Sequence, residues 1–437
     1  LVEKVKNMYL SNETNQGKYT VEELQQFRQW GSVTPGHPEV NPMRGVENTS
    51  GPLGQGHVMA VGAAIAERFL VARFGETVAH KTYAFISDGG IQEEISAGAG
   101  RIAGYLGLNN LIMFYDSNDV QLSTDVNEVT DEDVAAKYRA WNWNVLEING
   151  NDAEEIAKSI ESALAEQDRP TLIIGKTIMG LGCVTPEGAN FEGMCSTHGQ
   201  PLSKSGASYE KTVENLGGDM NDTWKIWDDV AELYASRKAE LETIVAARYA
   251  AEKEWAAANP ELAKQLEDFV EGNLPEIDYE AITYKPNVAT RTASASVLSV
   301  LGEKVKNMIV SSADLANSDK SEAFLNKVGA LKHHDFSGGF LHAGVAELTM
   351  TAIMNGIALH GGMWAACATF FVFSDYMKPA IRMAALQELP VKYIWTHDAF
   401  RVGEDGPTHE PIEQEAQIRL LEDIKSSKGL NSVLVLR

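Results

Sequence analysis

Short apolar runs alternate with helical patterns along most of this chain, and this alternation limits the folds that it can adopt. The apolar runs predict β-strands at residues 82–86, 110–115, 145–148, 171–174, 308–311, 391–396 and 432–436. The helical patterns predict α-helices near residues 51–74, 92–106, 153–166, 291–303 and 345–360. Strands that alternate with helices are typical of parallel, doubly wound sheets. We therefore expect an α/β fold with two such domains in tandem.

The boundary between these domains is expected at residues 274–287, where two prolines interrupt the pattern. The first domain then spans residues 1–273 and ends in a segment, 208–270, whose Ala, Glu, Lys and Trp content favours surface helices. The second domain spans residues 288–437. The chain begins without Met and stops just after the last predicted strand, so we expect the full-length protein to continue at both ends.

The charge and cysteine content of the chain narrow its class of function. With 37 Lys and Arg against 61 Asp and Glu, the net charge is −24, which argues against a nucleic-acid-binding surface. Any phosphate site must therefore be locally basic. No apolar run reaches the length of about 18 residues that predicts a membrane span. The three cysteines are scattered without a C-x-x-C spacing, so we expect a reduced, cytoplasmic compartment.

Polar residues follow two of the predicted strands in the first half of the chain. Asp88 and Gly89 directly follow the first strand, and Asn118 follows the second. Because the carboxyl ends of parallel strands share one edge of a sheet, these residues should lie together. Asp88, Asn118 and the main-chain carbonyl of Val120 offer the oxygen ligands that Mg²⁺ prefers. Gly89 lets the backbone approach a diphosphate closely. An ordinary strand-to-helix turn explains Asp88-Gly89 alone, but not its spacing from Asn118.

The segments around these residues resemble the transketolase family. Five segments occur in the order found in that family: Thr34–Glu39, Gly51–Gly56, Ser87–Ser96, Leu111–Asn118 and Ser196–Leu202. The resemblance runs from about residue 20 to residue 437, which is nearly the whole chain. Ser87 is a departure because the family has Gly there, but the position supplies no metal ligand.

The resemblance implies that the chain binds thiamine diphosphate through Mg²⁺, with Ca²⁺ or Mn²⁺ as alternatives. It makes the first domain the diphosphate-binding domain and the second domain the pyrimidine-binding domain. The implied cofactor contacts are Gly51, Leu53, Asp88, Gly89, Glu93, Asn118, Phe370, Phe373 and Tyr376. The three aromatic residues are spaced as on one helical face, which could stack on the pyrimidine ring. An ordinary apolar core shows the same spacing.

Glu347 matches the carboxylate that activates the cofactor in the family. The resemblance implies that it comes from the partner subunit and hydrogen-bonds the pyrimidine ring, where a desolvated Glu should have a raised pKa. We therefore expect a homodimer with active sites at the subunit interface. Ala346 and Leu348 stand where the family has Arg and His. A Glu that merely favours the dipole at a helix start is the alternative reading.

Histidines dominate the substrate channel that the resemblance implies. The implied substrate contacts are His37, His198, Arg291, Ser318, His397, Asp405 and His409. Among these, His198 is the candidate general base, His397 contacts the acceptor phosphate and His409 faces the reacting centre. Arg291 supplies the local basicity that a sugar phosphate requires. The remaining histidines have no such support: His57, His80, His333, His334, His342 and His360.

The expected function is that of a transketolase in the pentose phosphate pathway. Such an enzyme moves a two-carbon ketol unit from a ketose phosphate to an aldose phosphate. One alternative is a related ketol transferase for an unusual sugar, or a dihydroxyacetone synthase, which the altered neighbours of Glu347 keep open. The other is a non-catalytic paralogue or a partial subunit retained for binding.

Overall fold

Parallel strands form two separate sheets in the computed structural model, which describes residues 19–398 and 400–436, without the side chains of Phe400 and Arg401. The first sheet has the order β1-β2-β4-β3 and contains β1 (Thr82–Ser87), β2 (Leu111–Ser117), β3 (Asn144–Asn149) and β4 (Thr171–Lys176). The second has the order β6-β5-β7-β8 and contains β5 (Met308–Ser312), β6 (Phe340–His342), β7 (Trp364–Phe370) and β8 (Lys392–Thr396). Neighbouring strands are parallel throughout, so the predicted tandem α/β fold is confirmed.

Helices connect and cover these strands. Those before residue 272 are α1 (Val21–Gln25), α2 (Gln55–Phe74), α3 (Asp88–Gln92), α4 (Glu94–Leu106), α5 (Val134–Ala140), α6 (Ala153–Ala165), α7 (Leu202–Ser205), α8 (Tyr209–Asn215), α9 (Asp228–Ala258) and α10 (Pro260–Glu271). Those after it are α11 (Thr290–Lys304), α12 (Ala316–Asp319), α13 (Glu322–Val328), α14 (Glu347–His360), α15 (Ser374–Leu386) and α16 (Gln414–Leu420). Within the described ranges, no helix combines the length and apolar character needed to cross a bilayer.

The segment between α10 and α11 forms neither helix nor strand, at the place where the linker is predicted. The exact domain boundaries stay a prediction. The two halves nevertheless share one apolar core, because α2 from the first half packs directly on α14 from the second. Both helices are apolar on most of their circumference, as helices buried on several sides are.

Two glycines allow this close helix crossing. A Cβ atom added to Gly62 would lie 2.2 Å from the main-chain oxygen of Ile353, and one added to Gly356 would lie 2.0 Å from that of Met59. No side chain fits at either position because the two backbones touch. The crossing fixes the position of α14, and of Glu347 at its first residue, relative to the first half of the same chain.

The predicted strand at 432–436 is wrong. These residues form neither helix nor strand, and Leu434 and Leu436 are exposed. An apolar run becomes a strand only where a neighbouring strand supplies hydrogen-bond partners. Here the main-chain N–H of Val435 donates to the side chain of Glu422 instead.

The predicted single helical face for Phe370, Phe373 and Tyr376 is also wrong. Phe370 is the last residue of β7, Phe373 lies in the short 3-10 helix Phe371–Phe373, and Tyr376 belongs to α15. The sequence does not predict β7 because its central residues, Ala365–Ala368, are small and lack the β-branched side chains typical of strands.

Candidate active site

The ends of β1 and β2 bring Asp88, Asn118 and Val120 together. Asp88 directly follows β1 and is 2% exposed, and its Oδ2 accepts a hydrogen bond from the main-chain N–H of Asn118 at 2.9 Å. Its Oδ1 accepts from the hydroxyl of Tyr115 at 2.6 Å. Oδ1 of Asn118 accepts from the main-chain N–H of Val120 at 3.1 Å. The three residues with candidate metal-binding oxygens therefore lie at one edge of the sheet.

Burial governs the charge of Asp88. Desolvation raises the pKa of its carboxyl group, and the hydrogen bonds from Tyr115 and Asn118 offset this effect only in part. Burial also raises the pKa of the Tyr115 hydroxyl, which therefore stays protonated and donates. A divalent cation would favour the charged carboxylate, so the site has the chemistry of a cation ligand.

A cavity of about 1110 Å³ opens at this edge of the sheet. Asp88, Asn118 and Val120 line it, together with Gln92 and Lys176. Its volume lies slightly above the range of about 300–1,000 Å³ that is common for cofactor sites. The cavity and its oxygen atoms therefore fit a bound diphosphate with a metal ion.

The segment around Gly51 lies against the helix that starts at Asp88. A Cβ atom on Gly89 would lie 3.0 Å from the side chain of Leu53, and one on Gly54 would lie 3.0 Å from Cβ of Glu93. Glu93 itself separates α3 from α4, whereas the sequence predicts only the helix near residues 92–106. Leu53 thus packs on the turn at Gly89, and the neighbouring Gly54 packs on Glu93.

Two loops carry His37 and His198, the implied substrate contacts in the first half of the chain. The side chain of His37 packs on Gly51, with its Cβ 3.5 Å from the position of a Cβ there. His198 follows the 3-10 helix Cys195–Thr197, and its buried Nδ1 has no hydrogen-bond partner among the described residues. Arg28 donates to the main-chain oxygen of Gly199 at 3.4 Å and packs beside Gly36, so it connects the two loops.

Arg291, Ser318 and His397 meet in the second half of the chain. Nη1 of Arg291 donates to the main-chain oxygen of Ser318 at 3.3 Å and lies 2.5 Å from Nε2 of His397. The ring of His397 stacks on Phe370 with centroids 3.6 Å apart. Burial lowers the pKa of His397, and the charge of Arg291 lowers it further, so the neutral ring accepts the hydrogen bond.

The aromatic residues and His409 extend this group. Phe373 stacks at 6.0 Å from Phe370 and contacts the ring of His409 at 5.4 Å, and Tyr376 lies 6.1 Å from Phe373. An adjoining cavity of about 360 Å³ is lined by Arg291, His397 and Asp405, among others. The second half therefore offers an aromatic surface beside a pocket that is lined by the cation of Arg291 and the imidazole of His397.

Glu347 is the first residue of α14 and is 9% exposed. Burial raises the pKa of its carboxyl group, as predicted for a desolvated Glu. No side chain in the described part of the chain hydrogen-bonds this carboxylate. A buried carboxylate without such a partner costs stability, which is typical of a functional group rather than a structural one.

Two family models match the chain. The model for the transketolase thiamine diphosphate binding domain matches residues 8–275, and the model for the transketolase pyrimidine binding domain matches residues 286–427. The chain belongs to the transketolase family. The predicted membership is therefore confirmed.

Curated relatives and solved structures agree with this membership. A transketolase of Halalkalibacterium halodurans is 44% identical over 95% of this chain and 62% of its own length. One of Geobacillus stearothermophilus is 41% identical over 93% and 61%. The structure of transketolase from Leishmania mexicana has a TM-score of 0.85 at 32% identity and covers 92% of this chain and 60% of that one. The chain thus spans about three fifths of the length of its transketolase relatives.

Sequence analysis missed two residues that support the site of this family member. Tyr115 hydrogen-bonds Asp88, and this contact depends on the register of β1 with β2, which pairs Ile86 with Tyr115 and which the pattern of either strand alone does not reveal. His57 was set aside, yet its Nε2 lies 2.8 Å from the hydroxyl of Ser96, which donates to the main-chain oxygen of Gly90. Burial lowers the pKa of His57 to about 4, so it is neutral and supports the turn after Asp88.

Proposed function

We propose that this transketolase family member binds thiamine diphosphate through Mg²⁺ and transfers a two-carbon ketol unit from a ketose phosphate to an aldose phosphate. The observation that carries the proposal is the meeting of Asp88, Asn118 and Val120 at the mouth of a 1110 Å³ cavity. Oxygen-rich ligands of this kind suit Mg²⁺, and Ca²⁺ and Mn²⁺ accept the same ligands. The activity is a proposal because the chain spans only part of its relatives' length.

The first domain, proposed as residues 1–273, would hold the diphosphate group. Asp88, Asn118 and the carbonyl of Val120 would bind the metal ion. Gly51, Leu53, Gly89 and Glu93 would contact the cofactor, and Leu53 packs on Gly89 directly after Asp88. When bound, the cofactor supplies a thiazolium group that stores the electron pair released when a carbon–carbon bond breaks.

The second domain, proposed as residues 288–437 after a linker at 274–287, would hold the pyrimidine ring. Phe370, Phe373 and Tyr376 offer an aromatic surface for stacking. Glu347 would hydrogen-bond a ring nitrogen and hold a proton there, which its raised pKa favours. We infer that Glu347 serves a cofactor held by the partner subunit, in a homodimer with its active sites at the interface.

The sugar phosphate would bind beside these rings. Arg291 and His397 lie 2.5 Å apart and would hold the phosphate group, near the main chain of Ser318. Asp405 lines the same pocket and would accept a hydrogen bond from a substrate hydroxyl group. His409 contacts Phe373 and would face the reacting centre. Arg291 is the one cation among the described residues that line this pocket, beside the carboxylates of Asp398, Glu404 and Asp405, so the predicted local basicity rests on Arg291 alone.

The first-half histidines would complete the channel. His198 would act as general base in this channel. His37 packs on Gly51 and would contact the substrate from the same side as the cofactor. Solved relatives include a transketolase of Pichia stipitis in complex with sedoheptulose-7-phosphate, which is 33% identical to this chain. A phosphorylated ketose therefore suits the proposed channel.

A product assay tests this function. Incubation with xylulose 5-phosphate and ribose 5-phosphate, thiamine diphosphate and Mg²⁺ should yield a seven-carbon ketose phosphate and a three-carbon aldose phosphate. A parallel reaction with formaldehyde as acceptor distinguishes the dihydroxyacetone synthase alternative, which Ala346 and Leu348 beside Glu347 keep open. Absence of any two-carbon transfer with either acceptor would support the non-catalytic alternative and contradict the proposal.

A further inference from the structure

Two histidines from different halves of the chain face each other away from the proposed active site. Nε2 of His80 and Nε2 of His360 are 2.9 Å apart, and their rings stack with centroids 5.1 Å apart. His80 precedes β1, and His360 is the last residue of α14. Asp88 lies beyond the opposite end of β1, and a strand of this length spans about 20 Å. The histidine pair is therefore separate from the proposed magnesium site.

The second nitrogen of each ring faces a main-chain carbonyl oxygen. Nδ1 of His360 lies 3.0 Å from the oxygen of Gly361, and Nδ1 of His80 lies 3.4 Å from that of Lys81. A carbonyl oxygen only accepts hydrogen bonds, so these contacts favour a proton on each Nδ1 and a lone pair on each Nε2. Two neutral rings in this form would direct lone pairs at each other with no donor between them. A bound cation satisfies both nitrogens.

The arrangement is that of metal-binding histidines. A histidine ligand commonly donates its other ring N–H to a carbonyl or carboxylate, which fixes the orientation of the ring. The position of His80 is fixed further because its main-chain N–H donates to the buried side chain of Glu67 at 3.0 Å. His360 is held at the end of α14, which packs on α2. Both rings are thus positioned before any ion binds.

We propose that His80 and His360 form a binding site for a late first-row divalent transition-metal ion. With metal–nitrogen bonds of about 2.1 Å, two nitrogens at this separation subtend about 90° at the metal, as neighbouring ligands do in square-planar or octahedral complexes. Ni²⁺ and Cu²⁺ fit this angle better than Zn²⁺, which requires the wider tetrahedral angle. Mg²⁺ prefers oxygen and does not compete.

Water would supply the remaining ligands. Both histidines line a cavity of about 710 Å³, which gives an ion access to solvent. The described part of the chain contains no group of three or more His, Cys, Asp or Glu residues placed to hold a metal, so the site has two protein ligands. Because these ligands lie in different halves of the chain, the ion would connect the halves and stabilise their contact.

Titration calorimetry of the untagged chain with NiCl₂ tests the proposal, with excess Mg²⁺ and thiamine diphosphate present. We expect one Ni²⁺ to bind this site, and we expect its affinity to fall by about tenfold or more in both His80→Ala and His360→Gln. His333→Ala is the matched control, because His333 also lies beside another histidine, with ring centroids 4.0 Å apart, but is not one of the two proposed ligands. The affinity of His333→Ala for Ni²⁺ should equal that of the unsubstituted chain.

A second measurement needs no variant. Electron paramagnetic resonance of the chain with one equivalent of Cu²⁺ should show hyperfine coupling to two imidazole nitrogens. Three results would each overturn the proposal: coupling to one nitrogen or none, absence of Ni²⁺ binding, or equal Ni²⁺ affinity in folded His80→Ala.

Thermal unfolding gives a further test. The thermal midpoint should rise with Ni²⁺ in the unsubstituted chain and stay unchanged in His80→Ala.

Discussion

Two buried carboxylates, Asp88 and Glu347, are the residues on which the proposed chemistry depends. Burial raises the pKa of both. Their surroundings differ, because Asp88 accepts hydrogen bonds from Tyr115 and Asn118, whereas no described side chain donates to Glu347. Donors of this kind, and a metal ion, favour a charged carboxylate, whereas an apolar pocket favours a protonated one. A raised pKa therefore suits two different proposed roles, that of a metal-binding carboxylate at Asp88 and that of a proton-holding carboxyl group at Glu347.

Replacement of Glu347 by Gln should lower kcat by about a hundredfold or more, because proton transfer by a positioned side chain typically contributes that much. Affinity for thiamine diphosphate should change little, since the proposed diphosphate and metal contacts lie at Asp88 and Asn118. Steady-state kinetics and calorimetry measure the two effects separately. Full activity of Glu347→Gln would contradict the activating role, and Glu161→Gln, an exposed change on α6, is the control.

Glu347→Gln should also change the stability of the protein in a pH-dependent way. Because the folded state raises the pKa of Glu347, folding is favoured while the group is protonated, and this contribution is lost as the pH rises from the ordinary Glu value through the raised one. Glu347→Gln removes the cost of the buried charge. The thermal midpoint of the variant, relative to the unsubstituted chain, should therefore be higher near about pH 7 than near about pH 4.

At the scale of helices and strands, the sequence predicts those elements whose pattern of apolar residues matches their burial in the fold. The apolar runs at β1 and β2 predict strands, and their shared edge predicts that Asp88 and Asn118 meet. The run at 432–436 is also apolar but finds no neighbouring strand. In contrast, β7 is built from small residues that carry no strand signal. Pairing between distant segments decides both cases, and a local pattern does not contain it.

The contacts between individual site residues also depend on pairing between distant segments of the chain. The sequence places Arg291, Phe370 and His397 in the site only through resemblance, because their contacts join segments up to 106 positions apart. The hydrogen bond from Tyr115 to Asp88 depends on the register of β1 with β2. Register is set by packing of the whole sheet and is not visible in either strand alone.

The crossing of α2 and α14 gives a prediction for Gly356. Alanine ordinarily stabilises a helix interior relative to glycine by up to about 1 kcal/mol. Here the added methyl group would lie 2.0 Å from the main-chain oxygen of Met59, so Gly356→Ala should instead destabilise the protein by about 1–3 kcal/mol. Chemical denaturation measures this change. Ala72→Ser, at an exposed position of α2, should have little effect, and a stabilised Gly356→Ala would contradict the observed crossing.

At the scale of the whole molecule, the proposed dimer places Asp88 and Glu347 of one active site on different subunits. Asp88→Asn and Glu347→Gln should each inactivate a homodimer. In a mixed dimer, one site carries both substitutions and the other carries none. Random exchange of equal amounts should therefore restore about a quarter of the original activity. A mixture as inactive as its components would show that both residues serve the same subunit's site.

Magnesium-dependent binding of thiamine diphosphate, measured by calorimetry, tests the metal and diphosphate site most directly. The unsubstituted chain should bind the cofactor with Mg²⁺ and much more weakly with EDTA. Asp88→Asn and Asn118→Ala should each weaken binding by about a hundredfold or more, since each removes a proposed metal ligand. Asp131→Asn, an exposed carboxylate at the rim of the same cavity, should bind as the unsubstituted chain does. Unchanged affinity in both Asp88→Asn and Asn118→Ala would contradict the proposed site.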